Sequence, residues 1–174
     1  MSVIKTYFYS AKEEKVYHDI DLGRKEEYLA DINNLLWIDL YEVNHKELQS
    51  IADVFDFHPL AIEDCLQESP RAKVDRYDGY YFFVFHAIKY DEQSEKEVTT
   101  LELNVFMGPN YVVTIHQPRI ASIGQAASIS LKSPEVLNKG VDYLLYYIVD
   151  GITDEYFPIP SRISVRIEEL EEDI

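Results

Sequence analysis

The sequence predicts an α/β fold: a mixed parallel and antiparallel sheet sandwiched between helices, with the start of a long helix at the C-terminus. Three observations carry that expectation. The run Tyr80-Tyr-Phe-Phe-Val-Phe-His-Ala-Ile88 is too continuously apolar for a half-exposed strand, so it belongs inside a sheet with both faces covered. Thr99 to Met107 alternates Leu101, Leu103, Val105 and Met107 with Glu102, Asn104 and Phe106, and Gly108-Pro109-Asn110 turns it into Tyr111 to Ile115 as an antiparallel hairpin. Val141 to Tyr156 repeats apolar residues at helical spacing through Leu144, Leu145, Ile148, Val149 and Ile152.

At 174 residues the chain can bury one good core, and 47% hydrophobic residues with 14 Tyr exclude disorder. The 32 acidic against 16 basic side chains leave a formal charge of -16, which repels phosphate backbones and anionic headgroups. No nucleic-acid partner is expected, and cations are the natural partners. A lone cysteine, Cys65, excludes an intrachain disulfide and suits a reducing compartment. The N-terminus lacks the layout of a signal peptide, and no run is long and apolar enough to span a bilayer.

Taken in order, Val3 to Tyr9 reads as a strand and Val16 to Leu22 as an edge strand. Gly23 leads into a short polar helix around Lys25 to Ile32, and Leu35 to Leu40 is a compact strand. Asn44 with Glu47 forms a capping-box start for a helix carrying Leu48, Ile51, Ala52 and Phe55. Pro59 opens the next helix, Leu60 to about Gln67, and Ser69-Pro70 closes it. Pro118 opens a helix with Ile120, Ile123 and Ala127 on one side. Pro158 and Pro160 end the long helix, giving one domain over residues 1–160. In Ser161 to Ile174 the residues Ile163, Ile167, Leu170 and Ile174 make a narrow heptad-like seam. Five acidic residues near its end oppose the helix dipole, so residues 161–174 are expected to begin a longer helical extension.

Two sets of carboxylates stand out. On the helix after Pro59, Ala61, Ile62, Cys65 and Leu66 fall on one side, and Glu63, Asp64 and Gln67 on the other with Leu60 at the margin. On the long helix Tyr143, Tyr147, Asp150 and Asp154 form a stripe, stacking two like charges at i, i+4. Such faces are often simply solvated, but oxygen-only ligands on short side chains also suit Mg²⁺ or Ca²⁺. Catalysis is not expected. Cys65 falls on the apolar side, no nucleophile elbow or phosphate-binding glycine loop is present, and the five histidines show no metal-ligand spacing.

With these residues assembled, the sequence resembles the N-terminal cytosolic domain of the CorA magnesium transporter family. The matching pieces are Trp37-Ile-Asp39, His58-Pro-Leu-Ala-Ile-Glu-Asp64, Lys73-Val74, Tyr80 to Phe85, Asn110-Tyr-Val-Val-Thr114, Asp142 to Tyr146, Asp150, Asp154 and Tyr156-Phe157. The resemblance implies a sector of a homopentamer on the cytoplasmic side of the cell membrane, joined to it through a C-terminal part beyond Ile174 that carries the stalk, two membrane helices and a Gly-Met-Asn pore signature. It implies that Mg²⁺, with Co²⁺ or another divalent cation able to substitute, binds Glu63, Asp64 and Asp150 at subunit interfaces and controls gating, with Asp154 a further acidic ligand position. The order Pro70-Arg71-Ala72-Lys73 departs from the family's usual Arg-Pro before Lys-Val. The alternatives are a carboxylate metal-dependent hydrolase, a zinc-transporting relative of the same family, and an assembly scaffold without a metal.

Overall fold

β-Branched and aromatic residues at alternating positions build a sheet whose two faces are both apolar, and each face collects its own helices. The computed structural model describes residues 1–67, 71–90 and 98–158. Its strands are β1 Val3–Ser10, β2 Lys15–His18, β3 Leu35–Tyr41, β4 Lys73–Tyr77, β5 Tyr80–Tyr90, β6 Val98–Met107, β7 Tyr111–His116 and the short β8 Phe157–Pro158. Its α-helices are α1 Lys25–Leu29, α2 His45–Phe55, α3 Pro59–Leu66, α4 Ala121–Ser130 and α5 Val141–Glu155. The strands lie in the order β2-β1-β3-β7-β6-β5-β4, and β8 pairs with β5. Strands β3 and β7 form the one parallel pairing among the described residues; the others are antiparallel. The mixed sheet between helices is therefore as expected.

Alternation along each strand sorts the core into two layers. Leu36, Ile38 and Leu40 of β3 face α2 and α3, where Leu48, Ile51, Phe55, Ala61 and Ile62 cover them. Leu35 and Trp37, with Leu101, Leu103, Val105 and Val112, face α4 and α5 and meet Ile123, Ala126, Leu144 and Ile148. The Asn44/Glu47 capping box forms as the spacing predicts, with each side chain satisfying the other residue's N–H.

A polar chain crosses the parallel pair on the α4/α5 side. The Trp37 indole N–H donates to Thr114 Oγ1 at 3.1 Å, and the Thr114 hydroxyl donates to Asp39 Oδ1 at 2.6 Å. The same oxygen lies 2.8 Å from His116 Nε2, while His116 Nδ1 lies 2.7 Å from the Pro118 carbonyl. A carbonyl only accepts, so Nδ1 carries a proton. Burial works against charge on this ring, but the Asp39 hydrogen bond and charge, with the Pro118 carbonyl, outweigh it and raise the His116 pKa. Both ring nitrogens thus face acceptors, and these partners favour the charged form of His116 beside Asp39.

Several sequence expectations are corrected. The edge strand ends at His18 rather than Leu22, because Asp19 takes a left-handed φ of 54° and the Asp21 side chain caps a 3-10 turn at Leu22–Arg24. Helix α1 stops at Leu29, short of Ile32, where Asp31 accepts the Asn33 N–H in a turn. Helix α4 begins at Ala121, not at Pro118, since the Pro118 carbonyl is taken by His116 and Ile120 is extended. Leu66, expected inward, is exposed at the end of α3. Strand β5 is interior, but only its Tyr80, Phe82 and Val84 face is fully covered; on the other face Tyr81 is 41% exposed and Phe83 and Phe85 are half-buried. Helices α4 and α5 cover β6 and β7 and reach the buried part of β5 at Ala87. The expected closure at Ser69-Pro70 and the seam in 161–174 lie outside the described residues.

Candidate functional site

Helix α3 is held in place from its first turn. His58 caps it by accepting the Leu60 N–H at Nδ1, 3.1 Å away, stacks on Tyr77 at 5.2 Å, and donates its own N–H to the Tyr80 hydroxyl at 2.8 Å. Pro59 occupies the first turn, and Ala61 and Ile62 are buried. With that face fixed, Glu63 is exposed and Asp64 half-buried at the helix surface.

Asp64 does not stand alone. Lys73, at the start of β4, reaches its Oδ2 and lies 3.0 Å from Asp75 Oδ2, so one ammonium bridges two carboxylates. Burial opposes the charge on Lys73, but hydrogen bonds to Asp64 and Asp75 raise its pKa. Leu60, Glu63, Asp64, Lys73, Asp75 and Tyr77 line an open groove of about 540 Å³. Sequence reasoning passed over Lys73 and Asp75 as members of this cluster. Their spacing of two in a strand, which sets both on one face, was the available signal.

On α5, Leu144, Ile148 and Ile152 are buried, leaving Asp150 and Asp154 exposed. The helix lies tight against α4: a Cβ on Gly151 would fall 2.3 Å from the Ser122 Cβ, and the Ser122 hydroxyl donates to the Ile148 carbonyl at 2.7 Å. Asp150 and Asp154 are thus neighbours one turn apart. Because α3 packs on one face of the sheet and α5 on the other, Glu63 and Asp64 are not brought to Asp150 and Asp154 within a chain. Among the described residues no three His, Cys, Asp or Glu side chains are placed to hold a metal ion.

A second cavity, of about 330 Å³, lies where α3 ends over the sheet, lined among others by Cys65, His86, Glu102, Asn104 and His116. His86 Nε2 sits 3.1 Å from Glu102 Oε1. Burial pushes the Cys65 thiol strongly up, with the Asp64 and Glu102 charges adding to it, so no thiolate is available as a nucleophile near neutral pH.

Residues 33–174 match the family described as CorA-like Mg2+ transporter protein. The chain belongs to that family. YfjQ of Bacillus subtilis is 40% identical over 136 residues, which are 78% of this chain and 41% of that protein. The cobalt/magnesium transport protein CorA of Methanocaldococcus jannaschii is 29% identical over 140 residues, 79% of this chain and 43% of that protein. The chain therefore spans less than half the length of these curated relatives. The solved soluble domain of CorA from the same archaeon shares the fold with a TM-score of 0.65 at 24% identity, covering 99% of this chain and 62% of that one. The cytoplasmic domain of ZntB from Vibrio parahaemolyticus shares it at a TM-score of 0.62 and 13% identity, over 97% of this chain and 62% of that one. The CorA family is one of ion transporters. No helix among the described residues is long and apolar enough to cross a membrane.

Proposed function

We propose that this chain is the cation-sensing regulatory domain of a CorA-type magnesium transporter, and that Glu63, Asp64 and Asp150, with Asp154 adjoining, are its share of divalent-cation sites between neighbouring copies. The observation that carries this reading is the placement of the two carboxylate sets on opposite outer faces of the sandwich. Carboxylates so placed meet in an assembly, where the α3 side of one copy can approach the α5 side of another. Apolar side chains accompany both sets: Leu60 and Leu66 are exposed on α3, and Tyr146 is exposed one turn before Asp150. An acidic surface edged by exposed apolar residues suits an interface that needs a cation to close.

A bound Mg²⁺ would screen facing carboxylates, each like-charge pair being worth about 1 kcal/mol or more at 4 Å. Loss of the ion leaves the charges to push the copies apart. Intracellular Mg²⁺ thereby holds the assembly closed, and Mg²⁺ depletion opens the pore carried by the rest of the transporter. In this reading residues 1–160 are the regulatory domain on the cytoplasmic side, residues 161–174 begin the helical connection toward the membrane, and the assembly is a homopentamer. Co²⁺ is a cation of matching charge that could replace Mg²⁺. A metal-dependent hydrolase would need the same carboxylates to converge on one pocket, and here they diverge across the sheet.

The test is ion flux through the complete transporter against internal Mg²⁺, comparing wild type with the Asp64→Asn, Asp150→Asn double variant. Inhibition by Mg²⁺ should weaken by about tenfold in concentration, corresponding to about 1.4 kcal/mol, while permeation persists. An unchanged inhibition curve would remove these carboxylates from sensing.

A further inference from the structure

One buried side chain on the α3 side of the sheet has its hydrogen bonding incomplete. Asn104 is 4% exposed, and among the described residues its Oδ1 has no hydrogen-bond partner. Alternation along β6 sets Asn104 on the same face as Phe106, toward the α2/α3 layer. Its neighbours on that face supply no donor to it: Val84 lies opposite on β5 and Ile115 opposite on β7, while Phe106 and the Glu102 carboxylate flank it along β6. A buried carbonyl oxygen without a donor is costly, and a leucine would complete this apolar layer without that cost. The asparagine is accounted for by a donor that comes from outside the sheet.

The space for that donor is the cavity of about 330 Å³ at the end of α3, whose wall includes Asn104. We infer that this cavity binds a small organic ammonium ion on a short hydrocarbon chain, its N–H groups donating to Asn104 Oδ1 and to the Glu102 carboxylate. His86 and Glu102 stand opposite each other on β5 and β6, beside the Val84 and Asn104 pair, so the carboxylate is the next side chain to the unpartnered amide on that face. A carboxylate has about four acceptor sites, so the contact with His86 at 3.1 Å does not exhaust it.

Charge and shape select the class of ligand. At Cys65, in the cavity wall, burial raises the thiol pKa most, the Asp64 and Glu102 charges raise it further, and Lys73 works the other way with the smallest effect. The anions therefore outweigh the cation in the field there, and a formal charge of -16 on the whole chain adds to the preference for a positive ligand. Ile115 and Pro118, with the neutral Cys65 thiol, give a hydrocarbon chain an apolar wall, and exposed Thr100 and Gln117 also line the space, which opens it to solvent. Its volume stands at the lower end of small-molecule sites, about 300 to 1,000 Å³, which suits a ligand of a few heavy atoms. Glu63 and Asp150 take no part, so the site is separate from the divalent-cation role proposed for them.

The experiment titrates butylammonium chloride into the 174-residue chain at constant ionic strength and follows it by NMR. The side-chain amide protons of Asn104 and the backbone amides of Cys65, His86 and Asn104 should shift together and saturate. Asn104→Leu should weaken the binding read at Cys65 and His86 by about tenfold or more, and Glu102→Gln should weaken it by a similar factor. Tetramethylammonium carries the charge without an N–H, and butan-1-ol a donor without the charge, so each should bind about tenfold or more weakly than butylammonium. Asn104→Leu should unfold at the wild-type temperature or above it, because it removes an unpaired acceptor. A marked fall would make Asn104 a group paired within the fold and would overturn the inference. No saturable shift, meaning a cavity that holds only water, would overturn it too, as would binding that neither variant changes or an equal response to tetramethylammonium. Saturation of the same amides by MgCl₂ at lower concentration than butylammonium would make the cavity a metal site instead.

Discussion

Two ion pairs in this molecule have similar partners and opposite surroundings. His116 and Asp39 meet inside the sheet, nearly sealed from water, within a directed chain of hydrogen bonds: Thr114 donates to Asp39, Trp37 donates to Thr114, and Pro118 accepts from His116. Lys73 and Asp64 meet at the surface with side chains about one-third exposed, beside a second carboxylate and an open groove. The first pair cannot exchange its cation, because a replacement would have to enter a packed core and reproduce a directed hydrogen-bond chain. The second is held by a flexible ammonium that water and other cations can reach. Burial therefore separates an ion pair locked into the fold from one that solvent reaches.

The strongest way to break that contrast is to truncate the buried pair. Asp39→Ala leaves an imidazolium facing no anion and strands the Thr114 hydroxyl, so it should cost about 3 to 5 kcal/mol. The midpoint of thermal unfolding should fall by on the order of 10 °C for a chain of this size. Asp64→Ala, at the surface, should cost about 1 kcal/mol or less. Thermal denaturation of both variants side by side measures the difference, and equal losses would show that burial is not what separates the two pairs.

The buried pair also predicts a pH dependence with a definite sign. The folded His116 pKa lies above its ordinary value of 6.5, so the native state holds a proton that the unfolded chain releases. Its stabilisation is complete below about pH 6.5 and is lost as pH rises through the raised folded value, with a slope of at most about 1.4 kcal/mol per pH unit. Denaturant unfolding of wild type and His116→Gln between pH 6 and 9 should show the variant's deficit shrinking as pH rises. A deficit independent of pH would mean that His116 is neutral in the fold.

Much of this architecture was legible in the sequence because it rests on local pattern. The Asn44/Glu47 box, Pro59 at the start of α3, the β6–β7 hairpin and the apolar stripe of α5 are all written within a few residues of where they act. The outward placement of Glu63, Asp150 and Asp154 follows from the same helical periodicity. What was not legible depends on residues brought together from afar. His116 finds Asp39 only because β3 and β7 pair in parallel, 77 positions apart in sequence. Lys73 captures Asp64 only because β4 takes the outer position beside β5, next to α3. The partly exposed face of β5, with Tyr81, Phe83 and Phe85, was missed for a related reason: an apolar run marks a strand as interior to a sheet, not how far neighbouring helices reach over each face.

The mildest substitution sharpens the contrast most closely, because it removes the exchangeable cation and leaves the carboxylates in place. Lys73→Met keeps the apolar stem against β4 and α3 but takes the positive charge away from between Asp64 and Asp75. Loss of a half-exposed ion pair should change stability by about 1 kcal/mol or less, and the two carboxylates left facing each other should attract a divalent ion more strongly than before. Mg²⁺ added at constant ionic strength should therefore raise the unfolding temperature of Lys73→Met more than that of wild type, with an apparent affinity roughly five- to tenfold higher, about 1 kcal/mol. Lys73→Arg, which keeps a cation there, should respond to Mg²⁺ no more strongly than wild type. Equal Mg²⁺ responses from Lys73→Met and wild type would mean that the ammonium does not compete with the ion, and that the groove beside α3 lies apart from the cation site proposed for Glu63 and Asp64.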